Sequence, residues 1–314
     1  MSKHVLVVGS INVDYVIETD RLPKLGETLT GKHFAMNFGG KGANQAAAIA
    51  KLGCEVKMLG AVGKDFSGDS AVKNLESFGI DCSAVLRADA PTGAAMITVC
   101  GGDNHIILDA GANACVTPEL IAQNADLFAW ADVGVMQFEI PEESVLAAAR
   151  LAKSKNALVI VNPAPVKTVD PELYSLIDWI IPNEFEAELL VGVSPEDEGS
   201  AQHAIELLRA KGCKNVILTL GKRGSAFTNG NRIASFGIYP VQVKDTTAAG
   251  DSFIGGLCTM LCEGKSIVDA VAYASAVSAI TVSRNGAACS IPTAHEVDAF
   301  LESHAADCSA SLHF

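Results

Sequence analysis

VGVMQFEIPEESVLAAARLAKSKNALVIV, residues 133–161, holds one complete structural unit. Residues 133–138 and 158–161 are short β-rich apolar runs, and between them Val145, Ala149 and Ala152 recur at helical spacing. A strand, a helix and a second strand in that order predict a right-handed crossover between parallel neighbours. The alternation extends outward to runs at 5–8, 56–62, 179–181 and 216–220, with further amphipathic spacing at Ala204, Leu207 and Leu208. The expected fold is α/β, a central and mostly parallel sheet flanked by helices. Ligands on such sheets sit beyond the carboxyl ends of the strands.

Two segments break the pattern. Residues 15–38 hold strand-like stretches separated by Pro23 and Gly26, and residues 94–108 read as a hairpin turning at Gly101, Gly102, Asp103 and Asn104. Both lie between βα units, so they are expected to form a small β-sheet projecting from a single domain spanning 1–314; surface loops are the alternative. From 249 to 283 the chain is small-apolar helix, broken near Gly264, Lys265 and Ser266, and a last helix over 295–301 precedes a polar tail expected to fray.

With 49 % apolar and 19 % charged residues the chain can bury a large core, and a net charge of −13 argues against a nucleic-acid partner. It leaves a nucleotide substrate open, since phosphates need only one local patch. The apolar run at 5–8 is too short for a signal peptide, and no stretch approaches the ~20 apolar residues of a membrane span. A cytoplasmic protein without membrane attachment is expected. The nine cysteines include no CxxC pair, which reads as reduced thiols, and no histidine spacing suggests a metal site.

Several nucleotide and hydrolase signatures fail. Gly264, Lys265 and Ser266 imitate the end of a P-loop, but Thr259 stands where its first glycine belongs; residues 9–14 lack GxGxxG; and Ser252 lacks a nucleophile elbow. Polar residues instead gather after the first strand: Asn12 and Asp14, then Gly39, Gly40, Lys41, Gly42, Ala43, Asn44 and Gln45 opening a helix. Glycines admit a close ligand, and Asn12, Asp14 and Asn44 can pair several hydroxyls, as a polyol requires; local turns are the structural alternative. A second cluster, Asp245, Thr246, Thr247, Ala248, Ala249, Gly250 and Asp251, precedes a long helix. Small residues there leave N–H groups pointing at one place, favourable for phosphate, and make Asp251 the candidate general base.

Residues 39–44 and 245–251 resemble the two signatures of the ribokinase-like (PfkB) carbohydrate kinases. Asn183, Glu184, Phe185 and Glu186 are similar to that family's magnesium-linked NxxE motif, and Thr219 to Gly224 to its nucleotide-binding strand and turn. The resemblance is ordered and spans nearly the whole chain. It implies a β-lid formed by segments 15–38 and 94–108 over a sugar held by Asn12, Asp14, Gly40, Lys41, Asn44 and Glu139. ATP would lie along Asn183, Thr219, Gly221, Gly224, Gly250 and Ser275, with Glu186 acting on Mg2+ through water; a solvated helix start is the alternative for Glu186, and a tolerated small residue for Ser275.

The implied reaction is phosphorylation of a sugar's terminal hydroxyl by ATP, with Asp251 as base and the N–H groups around Ala248, Ala249 and Gly250 stabilising the phosphoryl group. Asn12 and Asp14 together suit adjacent ring hydroxyls, which favours ribose; 2-deoxyribose, a fructose-type sugar or a nucleoside are alternatives, as is a sugar-sensing protein without catalysis. The resemblance further implies a potassium-type ion near Asp245, Thr247, Thr281, Arg284, Gly286 and Ser290, where the alternative is that Asp245 only caps its turn. It also implies a homodimer through the lids, whose apolar residues cannot all be buried within one chain.

Overall fold

The computed structural model describes residues 4–101 and 103–304. Gly102 at the hairpin turn, and the polar tail from 305 onward with Cys308 and His313, lie outside the described residues.

The main sheet has eight strands, in the order Arg232–Phe236, Ser225–Asn229, Asn215–Thr219, Trp179–Ile180, Leu158–Asn162, Val133–Gln137, His4–Val8 and Glu55–Leu59. Neighbours from Glu55–Leu59 to Asn215–Thr219 are parallel, and the last two strands are antiparallel additions. Helices cover both faces, so alternate side chains of a strand enter different cores. Val5, Val7, Val133 and Val135 pack on one side, and Leu6, Val8, Met136, Val159 and Val161 on the other. That double burial explains why the strand sequences are apolar throughout rather than alternating.

The run expected at 56–62 divides. At Gly60 the chain passes close to the Gly9 carbonyl and leaves the main sheet, and Ala61–Gly63 pairs instead with Leu86–Ala88. The irregular segments form a separate four-stranded sheet, ordered Lys32–Gly39, Asn12–Thr19, Gly93–Cys100, Asp103–Asp109. Its two inner strands are parallel and register Asn12 with Gly93, while Asn12 also pairs with Gly39, so the sheet springs from the end of the first main strand. Phe34, Met36, Met96, Ile106 and Ile107 are exposed on it.

The long apolar segment is two helices, Ala249–Cys262 and Ile267–Val282, with Ser266 capping the second through the Asp269 N–H. Ala249–Cys262 also packs on Lys41–Lys51, whose start follows the small sheet directly. The contact is backbone-close, because a Cβ built on Gly255 would lie 2.3 Å from the Ala48 Cβ. Helices Lys41–Lys51 and Ala249–Cys262 both start at the carboxyl ends of the parallel strands, where Lys41 N–H reaches Glu139 and Asp251 is linked through Gln45 to Asn162. Among the described residues no helix is long and apolar enough to cross a membrane.

Candidate active site

Strand Lys32–Gly39 turns into helix Lys41–Lys51 at Gly40, whose φ of 90° favours glycine and where a Cβ would lie 2.8 Å from the Asn12 nitrogen, so there is no room for a side chain. The first N–H groups of this helix are already occupied. Lys41 N–H donates to Glu139 Oε2 (3.0 Å), Gly42 N–H to Ser10 Oγ (3.3 Å) and Ala43 N–H to the Ser10 carbonyl (2.9 Å). Ser10 Oγ in turn donates to Glu139 at 2.5 Å. Glu139, just past a strand end, thus anchors the helix.

Helix Ala249–Cys262 starts differently. Ala248 has left-handed backbone (φ 60°) and no side chain caps the helix. The Ala249 N–H reaches the Thr246 carbonyl (3.2 Å), whereas those of Ala248, Gly250 and Asp251 find no backbone acceptor among the described residues. Behind the turn, Asp245 Oδ1 accepts from Thr247 N–H (2.9 Å) and Thr247 Oγ1 (2.7 Å), while Oδ2 accepts from Gly286 N–H (3.0 Å). Burial opposes ionisation of Asp245, but these donors outweigh it and hold the carboxyl below its ordinary pKa.

Asp251 is only 8 % exposed. Its Oδ2 accepts from Asn44 Nδ2 and its Oδ1 from Gln45 Nε2, each at 3.0 Å. The sequence expectation thereby gains a geometric reason: Asn44 and Asp251 stand opposite each other one helical turn above the Ala48–Gly255 contact.

Charges converge near these two helix starts. Burial, and the nearby Glu139 and Asp251, raise Asp14 to about 6. Burial opposes the charge of Lys41, but Asp251, Glu139 and Glu186 outweigh it and lift the ammonium above its usual value. Asn12 donates weakly to Glu139 (3.5 Å), and its Oδ1 accepts from Asn113 Nδ2 at 2.7 Å.

Glu186 is not part of a solvated face. It is 7 % exposed and closes a capping box, Oε2 accepting from Asn183 N–H (2.9 Å) and Oε1 from Asn183 Nδ2 (3.0 Å). Burial raises its pKa; the Asn183 N–H and Lys41 oppose that. Asn183 bridges to Thr219 at the ends of adjacent strands, and the turn from Leu220 closes through Leu220 N–H to the Gly224 carbonyl (2.8 Å). Gly221 and Gly224 both have positive φ there. Arg223 in this turn donates to Glu184 and to the Pro195 carbonyl.

Ser275 is half-buried on Ile267–Val282, and on the same helix the Ser278 hydroxyl donates to the Ala249 carbonyl at 3.1 Å. The side chains of Thr281 and Ser290 donate to the carbonyls of Val277 (2.8 Å) and Ala287 (2.7 Å). Arg284 pairs with Glu296 at 2.7 Å. Sequence reasoning gave no role to Ser10, Gln45, Asn113, Gln137, Asn162 or Ser278; polar residues at strand ends or amid small-apolar helix were the available signal.

A ribokinase of Haemophilus influenzae is 41 % identical over 304 residues, covering 96 % of this chain and 99 % of that protein. A deoxyribokinase of Salmonella typhi is 33 % identical, with 95 % and 98 % covered. The structure of Arabidopsis thaliana ribokinase complexed with ribose and ATP superposes with a TM-score of 0.91 at 33 % identity, covering 96 % of this chain and 99 % of that one. The family model for pfkB family carbohydrate kinases matches residues 2–294, so the two glycine-bearing helix starts and the carboxylates between them lie within it and the chain belongs to that family of ATP-dependent sugar kinases.

Proposed function

We propose that this chain transfers the γ-phosphoryl group of ATP to the 5-hydroxyl of D-ribose, giving ribose 5-phosphate and ADP. The observation that carries the reaction type is Asp251, buried at an uncapped helix start and held as an acceptor by two amides. Asp251 takes the hydroxyl proton as the new O–P bond forms and the bond to the β-phosphate oxygen breaks. The N–H groups of Gly250 and Asp251 face the transferring phosphoryl oxygens. Asn12, Asp14, Gly40, Lys41, Asn44 and Glu139 hold the sugar, and Asn183, Thr219, Gly221, Gly224 and Ser275 line ATP. The chain acts as one domain, with segments 15–38 and 94–108 as a lid that excludes competing water.

Magnesium accompanies ATP in this reaction and supplies charge to the phosphate oxygens. Both Glu186 oxygens are engaged by Asn183, a state that suits contact with a hydrated ion through water better than direct ligation.

Ribose is favoured by the ribokinase relatives and by the pairing offered at Asn12 and Asp14; the deoxyribokinase relative makes 2-deoxyribose the second reading. ADP release with ribose, 2-deoxyribose, fructose and adenosine at pH 7.5 separates them. That pH lies above the raised Asp14 titration near 6, so the carboxylate is ionised and accepting. A site that pairs the 2-hydroxyl should prefer ribose in kcat/KM by at least ~10²-fold. A reversed ratio assigns 2-deoxyribose, and no ADP with any acceptor removes the kinase reading.

We also place a potassium-type ion behind the catalytic turn, bounded by Asp245, Thr247, Thr281, Arg284, Gly286 and Ser290. Asp245 is ionised and its neighbours end a helix, where carbonyls gather. Turnover should rise several-fold in potassium over a bulky organic cation at equal ionic strength, with little change in sugar affinity. Equal turnover in the two salts would leave Asp245 as a turn cap only.

The exposed apolar residues of the small sheet support a homodimer through the lids. Sedimentation at micromolar concentration should give a dimer; a monomer with and without sugar would dismiss it. The eight cysteines among the described residues are free thiols.

A further inference from the structure

We propose that Gln45 is a positioning residue for Asp251, the last link of a buried amide chain that presents donors only to the base. The proposal rests on Asp251 as the base in the reaction above. Gln45 is fully buried, and its Nε2 donates both to Asp251 Oδ1 (3.0 Å) and to Asn162 Oδ1 (3.2 Å). Its Oε1 accepts from Gln137 Nε2 at 2.6 Å.

An amide can be turned end for end, but this chain has a fixed sense. Asn162 Nδ2 donates to the backbone carbonyl of Ile181 at 3.0 Å, and a carbonyl can only accept. Asn162 must therefore point its oxygen at Gln45, so Gln45 must answer with its nitrogen. One of the two Nε2 hydrogens goes to Asn162, which leaves the other for Asp251. A main-chain group two side chains away thus decides that Asp251 meets a donor rather than an acceptor.

The chemical consequence follows from geometry. Asn44 comes from the same helix as Gln45 and holds the other oxygen, so the two amides fix the plane of the carboxylate. A base must keep one lone pair directed at the hydroxyl, and a misplacement of ~1 Å can cost ~10²-fold in rate. Gln45 does not touch substrate in this account; it acts through Asp251.

The test is a double-mutant cycle. Gln45→Met removes the donor while keeping the length, and should lower kcat ~10- to 100-fold with ribose affinity, measured by calorimetry, within about threefold. In an Asp251→Asn background, adding Gln45→Met should change the residual rate by less than about threefold, because there is no longer a carboxylate to position. A general packing role would instead lower both backgrounds by the same factor. Gln45→Glu, which keeps the shape but turns an acceptor toward Asp251, carries the same cycle if the methionine variant does not fold. A folded Gln45 variant with kcat within threefold of wild type, or equal losses in both backgrounds, overturns the proposal. An inactive wild type, or an Asp251→Asn protein that keeps its turnover, removes the kinase or base reading and this proposal with it, and both are seen without any Gln45 variant.

Discussion

Asp251→Asn is expected to lower turnover by ~10²–10⁴, the usual scale for losing a general base. The substitution preserves shape but not polarity. Both carboxylate oxygens accept N–H donors, from Asn44 and Gln45, so an asparagine must set its own NH2 against one of them. That mismatch removes one hydrogen bond and leaves a buried donor unpaired, a cost of ~1–3 kcal/mol. Folding is therefore weakened, though not abolished, and turnover must be expressed per folded molecule from a parallel melting curve. Ribose affinity should change much less than kcat, since Asn12, Asp14 and Lys41 remain. The measurements are initial rates of ADP release and a calorimetric titration with ribose. Retention of more than a tenth of wild-type kcat would remove Asp251 from the base role.

The parts of this site that were legible in the sequence are those made by neighbours along the chain. Gly39, Gly40 and Lys41 announce a helix start that a ligand can approach, and Ala248, Ala249 and Gly250 announce another, because small residues and caps act within one turn. The strand–helix alternation carried the sheet for the same local reason. What stayed hidden depends on long-range meeting. Gln45, Gln137 and Asn162 come from a helix and two strands, and their mutual orientation is decided by the carbonyl of Ile181, which no side-chain pattern encodes. Ser278 reaches the Ala249 carbonyl because of how two helices are rotated against each other, a matter of packing rather than composition. Glu186 stands among several acids on a helix start, and nothing local in the sequence announces that it is buried with its carboxylate turned back on Asn183.

That packing supplies the second large effect. Asn44 and Ala48 are one turn apart on one helix, Asp251 and Gly255 one turn apart on the other, so the Ala48–Gly255 contact sets the height at which Asn44 meets Asp251. A methyl group on Gly255 would lie 2.3 Å from the Ala48 Cβ and 3.2 Å from its carbonyl carbon, and neither atom can rotate away. Gly255→Ala must therefore separate the helices. Two terms oppose each other: alanine favours a helix by ~1 kcal/mol over glycine, while overpacking costs ~1–3 kcal/mol. The net stability change is modest, but the displacement falls on the base, and kcat should drop ~10- to 100-fold. The companion change Ala48→Gly moves the methyl group from one helix to the other. In Gly255→Ala/Ala48→Gly the helix propensities cancel and the volume at the contact is conserved, so turnover and melting temperature should return close to wild type, whereas Ala48→Gly alone should cost ~1 kcal/mol with turnover retained. If Gly255→Ala keeps its full kcat, or if the paired variant fails to recover it, the helix contact does not govern the position of Asp251.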